Sequence, residues 1–241
     1  MKAASREAQT RVAEKLDAFL RNAGDTVSIA AQVGTELFLV VDQLEAHRSL
    51  RVAVADTSLK PEQRSGMIGD VLSGKVADTT MSVLKQAAEQ DWSTPREFRE
   101  GLVHLGRRAL LRGAESEGKL EHVENELFAL SRLLEREGEL TQLLSDRRAT
   151  ADQKRQLLAS VLYGKVSMYT EALALQVIGR PEHNPVDDIA AVSRESAELT
   201  GKTVAEVTSA TELTDAQRET LAEKLGKIYG REMAIHSEVD P

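Results

Sequence analysis

The chain has 241 residues, and its 31 Lys and Arg against 39 Asp and Glu leave a net charge of −8 with a pI near 5.3. That balance argues against a nucleic-acid binder relying on a net basic surface. The absence of cysteine excludes a disulfide framework, a thiolate metal site and a cysteine nucleophile. Aromatic residues make up 3%, while Ala, Leu, Glu, Gln, Arg and Lys dominate, so the composition is that of an α-rich protein.

The opening MKAASREAQTR lacks the apolar centre of a signal peptide. No uncharged stretch approaches the roughly 20 residues that cross a bilayer; the most apolar run, 27–41, contains Gly34 and Glu36. We expect no membrane-spanning helix.

An internal repeat organises the rest. Residues 36–80 align without a gap on 126–170, with 14 of 45 positions identical, among them Glu36/Glu126, Phe38/Phe128, Asp56/Asp146, Gln63/Gln153, Gly74/Gly164 and Thr80/Thr170. The apolar register is shared too: Ala30, Val33, Leu37, Val40 and Leu44 fall on Leu120, Val123, Leu127, Leu130 and Leu134. Spacing of three and four residues makes one helix face, and a common phase across a helix break points to a duplication.

Each copy predicts the same series. A first helix covers 5–22 or 94–112, the latter opened by a capping box at Thr94 to Glu97 with Pro95 in its first turn. A long second helix follows, then a short apolar piece (50–55; 140–145), then a helix opened by Pro61 or by the box Thr150 to Gln153 and ended by Gly74 or Gly164. A fifth helix closes each unit near Ala88 or Ile178. After Arg180 the repeat stops, and Pro181 and Pro185 precede a last helix over 187–199. Residues 204–208 alternate as a strand, Thr214 to Gln217 opens a helix carrying Leu221, Leu225 and Ile228, and 233–239 alternates again. The expected fold is therefore mainly α. Two tandem six-helix-type bundles from a 90-residue duplication, 1–92 and 93–202, precede a small, incomplete α/β C-terminal domain, 203–241.

Chemistry-bearing motifs are sparse. Gly201-Lys202-Thr203 lacks the upstream glycine and the strand-to-helix order of a phosphate loop. The five histidines, at 47, 104, 122, 183 and 236, show no metal-ligand spacing and predict surface or capping roles. Asp187 and Asp188 suit a helix start. Arg107, Arg108 and Arg112 predict a solvated face of mixed charge with Glu115 and Glu117, or else a seat for an acidic partner. Trp92 predicts packing at the junction of the copies, with a binding anchor as the alternative. No catalytic residue, metal site or cofactor site is expected.

The run Leu157 to Ser167, LLASVLYGKVS, resembles the helix pair of the δ subunit of F-type ATP synthases, the bacterial counterpart of the mitochondrial oligomycin sensitivity conferring protein. The tail resembles that family's C-terminal domain in order and spacing: VAEVTSA at 204–210, LTDAQ at 213–217, LGKIYG at 225–230 and VDP at 239–241. The likeness covers 94–241 directly and reaches 1–90 through the repeat, as in a lengthened form with a doubled N-terminal helical domain. Family members continue past this point with further strands, so the resemblance implies a truncated chain or a domain completed by something else.

The resemblance also implies a function. Such a subunit is a non-catalytic stator of the peripheral stalk. It links the N-terminal segments of the α subunits on the α/β head to the membrane-anchored b subunit, at the cytoplasmic face of the cell membrane, and resists rotation during proton-driven ATP synthesis. Membrane association would come only through the complex, and no nucleic acid is implied. On this view an amphipathic α-subunit helix docks between the first and fifth helices of the second copy, at Leu102, Leu105, Ala109, Tyr169, Leu173 and Val177, although taken singly each of these residues suits plain core better. Val207, Leu221, Leu225 and Ile228 would meet the b subunit. From the residues alone the alternative is a stand-alone helical-repeat adaptor, which would need no α/β tail.

Overall fold

The computed structural model describes residues 1–239. The fold is mainly helical, with twelve helices among the described residues and one two-stranded parallel sheet. It divides into two compact units, Met1–Gly118 and Lys119–Pro241.

The first unit holds α1 (Ala3–Arg21), α2 (Thr26–Ala46), α3 (Arg48–Val54), α4 (Pro61–Leu72), α5 (Asp78–Glu89) and α6 (Pro95–Ser116). Here the division falls later than the expected 92/93, because the helix expected to open a second bundle lies along α2 and α1. The close approach is written in two glycines. A Cβ at Gly34 would stand 2.9 Å from the Gly106 carbonyl oxygen, and one at Gly106 would stand 2.6 Å from the Phe38 ring. Only residues without side chains let the two backbones come so near.

The core of this unit gathers Val12, Leu16 and Leu20 of α1 with Val33, Leu37 and Val40 of α2, Leu84 and Ala87 of α5, and Phe98, Leu102 and Leu105 of α6. By length and composition α2 could cross a membrane, which the sequence reading did not anticipate. Its apolar stripe, from Ala30 to Leu44, is the core of this unit, and Glu36 accepts the Ala77 N–H at 2.9 Å.

The second unit holds α7 (Leu120–Arg136), α8 (Gly138–Ser145), α9 (Ala151–Leu162), α10 (Met168–Gly179) and α11 (Pro185–Leu199), then β1 (Thr203–Ser209), α12 (Asp215–Tyr229) and β2 (Met233–Val239). Helix α11 lies along α7 as α6 lies along α2, and α10 packs against α9 as α5 packs against α4. The strands pair in parallel register, Thr203 opposite Met233 and Ser209 opposite Val239, with α12 against β2. This strand-helix-strand segment, expected as a domain over 203–241, belongs to the same compact unit as α7 to α11.

The two helical series agree in detail at the 90-residue offset. Glu36 caps the residue before α5, and Glu126 accepts the Ser167 N–H at 3.0 Å before α10. Asp56 and Asp146 each accept the N–H two residues on, at 2.9 Å. Gly74 and Gly164 take φ of +70° and +68°, where a side chain is strained. The offset runs beyond Arg180, where the repeat was expected to stop: Thr94 and Asn184 both cap with their side chains, and Pro95 and Pro185 both open the helix.

Candidate partner-binding surfaces

The six residues expected to receive an α-subunit helix are covered. Leu102, Leu105 and Ala109 sit on α6 with no exposed surface, inside the core of the first unit. Tyr169, Leu173 and Val177 sit on α10 in the second unit and are at most 1% exposed. Three thus serve one core and three the other. Spacing along a helix identifies an apolar face but not what the face meets.

The four residues assigned to the b subunit are more open. Val207, Leu221 and Leu225 are half-buried and Ile228 is 72% exposed. Helix α12 begins at the capping box expected from the sequence, with the Thr214 hydroxyl accepting the Gln217 N–H at 3.3 Å, and ends at Gly230 in the left-handed region. None of its residues is buried. Leu221, Leu225 and Ile228, spaced by four and three, therefore form a stripe that the sheet covers only in part, and Tyr229 beside it is 65% exposed.

Charged groups settle several sequence expectations. The expected solvated face on α6 is instead an anchor for α1. Asp17, 6% exposed, accepts two hydrogen bonds of 2.7 Å from Arg108 and a third, also 2.7 Å, from Arg112, while Arg107 is itself buried. Burial alone would raise the Asp17 pKa. The hydrogen bonds and positive charges of Arg108 and Arg112 outweigh it and hold the carboxyl below its ordinary range.

A carboxyl that binds its proton less readily when folded stabilises fully above about pH 4, the ordinary value in an unfolded chain, and loses that contribution as the pH falls through its lower folded value. Acid titration of the folded chain, followed by circular dichroism, is expected to show the Asp17→Asn variant with a shallower acid limb than the parent. Equal slopes would remove Asp17 from the account.

Thr94 caps α6 as expected, but the reciprocal half of the box is missing. The Glu97 carboxylate is taken by the Lys2 N–H at 2.6 Å and the Ser5 hydroxyl at 2.8 Å, which tie the start of α1 to α6. Trp92 is 2% exposed, donates to the Ala87 carbonyl at 2.8 Å and meets Phe98 edge-on at 5.7 Å, so it packs rather than projects as an anchor. Asp188 accepts the backbone N–H groups of Glu182 and His183 at the start of α11, in keeping with a helix-start role. His236 departs from expectation. It is 3% exposed, and its Nε2 lies 2.7 Å from the Glu124 carboxylate. Sequence spacing gave no sign of this pair, whose members stand 112 residues apart.

Comparison with known proteins now decides the family. Residues 108–241 match the family described as ATP synthase delta (OSCP) subunit. The chain is 62% identical over 240 residues to the ATP synthase subunit delta of Corynebacterium efficiens, covering 100% of this chain and 87% of that protein. This chain belongs to the ATP synthase delta (OSCP) family. The ATP synthase subunit delta of Corynebacterium diphtheriae is 57% identical over 242 residues, covering 100% of this chain and 89% of that protein. That of Corynebacterium jeikeium is 48% identical over 240 residues, covering 100% and 88%. All three similarities take in the whole of this delta-family chain, so residues 1–107, which precede the family match, are shared by these relatives as well.

Proposed function

We propose that this delta-family chain is a non-catalytic stator subunit, joining the N-terminal segments of the α subunits on the catalytic head to the b subunit of the peripheral stalk at the cytoplasmic face of the cell membrane. The observation that carries the proposal is the similarity of the whole chain to proteins named ATP synthase subunit delta, reinforced by the open stripe on α12. A stator must withstand rotor torque through contacts whose simultaneous release is rare, which favours several moderate interfaces on one chain. An apolar stripe of four- and three-residue spacing suits a helical partner, as the b stalk would supply.

The α-subunit contact belongs to this proposal in an altered form. With Leu102, Leu105 and Ala109 covered in the core of one unit and Tyr169, Leu173 and Val177 in that of the other, the six do not make one groove, and the α-subunit contact rests on family membership alone. We further propose that the two helical units arose by duplication, supported by the paired caps and glycines at the 90-residue offset. The first unit braces the stalk; its α5 presents Asp78 and Lys85 to solvent, where α10 presents a more apolar surface.

Calorimetric titration of the intact chain with a peptide copying the N-terminal segment of the same organism's α subunit, and separately with the soluble part of its b subunit, tests this reading. Saturable binding of both is expected, with Ile228→Glu and Leu221→Glu weakening b binding at least tenfold and leaving the α peptide unaffected. A folded chain that binds neither would overturn the stator assignment.

A further inference from the structure

Among residues 201–239, His236 is the only one that is buried. Everything else in the segment β1–α12–β2 is half-buried or exposed. Strand β1 packs against α11, and among the described residues the one buried polar contact from the segment to the helices lies where β2 meets α7.

The seat is built around one polar pair. His236 Nε2 lies 2.7 Å from Glu124 Oε1, and Glu124 is itself 3% exposed. The imidazole lies over the Phe128 ring at 4.3 Å between centroids, and Arg132 stands 5.2 Å from the same ring. Helix α11 closes the seat, its Ser193 hydroxyl donating to the Glu124 carbonyl at 3.1 Å. Outside it the ties are weaker: Glu238 lies 3.5 Å from both Arg132 and Arg136, and Lys202 lies 3.8 Å from Glu121. These are rim contacts, screened by water.

Two further observations single out this pair. At the matching offset the first unit has Gly34 in place of Glu124, and there a Cβ would meet the neighbouring helix, α6. The second unit has put a carboxylate where the first needs no side chain at all, and the strand that follows answers it with an imidazole. The joint leading into β1 is Gly201, at φ +77°, a conformation that glycine adopts freely.

We infer that the His236–Glu124 pair is a latch that fixes the β1–α12–β2 segment on α7, and that breaking it releases the segment as a body about Gly201 while α7 to α11 remain folded. The latch sets where the α12 stripe points, so it governs presentation of that surface rather than its composition. The inference concerns the segment's attachment and stands whether or not α12 binds the b subunit.

Hydrogen exchange on the full chain tests it. His236→Ala is expected to speed exchange of the protected amides in 203–239 by about ten- to hundredfold, the range for leaving a buried hydrogen-bonding partner unsatisfied, with α7 and α11 unchanged. Glu124→Ala should do the same, and the double variant should add little to either. His236→Gln, which keeps a donor, should recover part of the protection, and trypsin should cut at Lys202 faster in the alanine variants. Equal acceleration in α7 and α11 would make the pair a general stability element and overturn the latch. So would unchanged exchange in 203–239, or full additivity in the double variant.

Discussion

Replacing Arg64 by methionine is expected to cost the first unit about 3 kcal/mol, the largest loss from any single polar side chain there. Arg64 is 1% exposed, yet it carries a full charge into the space between α4 and the end of α5. Its guanidinium donates to the carbonyls of Ala88 at 2.8 Å, Glu89 and Gln90 at 3.1 Å, Leu59 at 3.1 Å and Asp56 at 3.4 Å, and to the Asp91 carboxylate at 3.0 Å. The acceptors at 88–90 lie at the C-terminal end of α5, where carbonyls have no partner further along the helix. Methionine fills much of the volume and leaves those carbonyls orphaned. Lysine should recover only part of the loss, since it offers three donors at a point rather than five in a fork. The matching residue of the second unit is Lys154, also buried. Urea unfolding followed by circular dichroism reads the effect, and a midpoint unchanged in the methionine variant would remove this clamp from the account.

Gly101→Ala is expected to destabilise the same unit by about 1–3 kcal/mol, although on an exposed helix the same change stabilises by about 1 kcal/mol. A Cβ there would stand 2.2 Å from Trp92 Cη2 and 2.8 Å from Gln9 Oε1. The indole cannot withdraw freely, because its N–H holds the Ala87 carbonyl and its edge rests on Phe98. Trp92 is the single tryptophan, so its emission reports the displacement directly: a red shift with exposure of the ring is expected. If Trp92→Leu relieves the penalty of Gly101→Ala in the double variant, the clash is the cause. Additive losses would point elsewhere.

The features legible in the sequence were those determined within one or two helical turns. Thr150 and Thr214 form complete capping boxes, Pro61, Pro95 and Pro185 open helices, and Gly74, Gly164 and Gly230 take the left-handed conformation. Asp56 and Asp146, identical across the offset, proved to be such a local device, each closing a turn, whereas Glu36 and Glu126 reach 41 residues on to hold the start of the third helix along. The two strands and the helix between them were legible for the same reason.

What lay beyond reach was partner choice between distant elements. Nothing in the apolar spacing of α6 says that this side belongs with α2, and so the sequence left Leu102, Leu105 and Ala109 open between groove and core, where the structure makes them core. Asp17 with Arg108 and Arg112, and Glu124 with His236, couple residues some 90 and 112 positions apart, where spacing carries no information. The exposure of Ile228 on α12 was likewise invisible, since its periodicity is that of an ordinary covered helix.

Helix α6 begins 92 residues after α1 and 90 before α11, so in sequence it begins one series and in space it completes the other. Any attempt to separate the halves by cutting at the repeat boundary near residue 92 would strip the first unit of the helix that covers α2 and would bare Leu102, Leu105 and Ala109 on the remainder. Shortened chains that end at Gly118 or begin at Lys119 are expected to keep each core whole. For this protein, the 90-residue offset in the sequence and the compact unit in space are out of step by one helix.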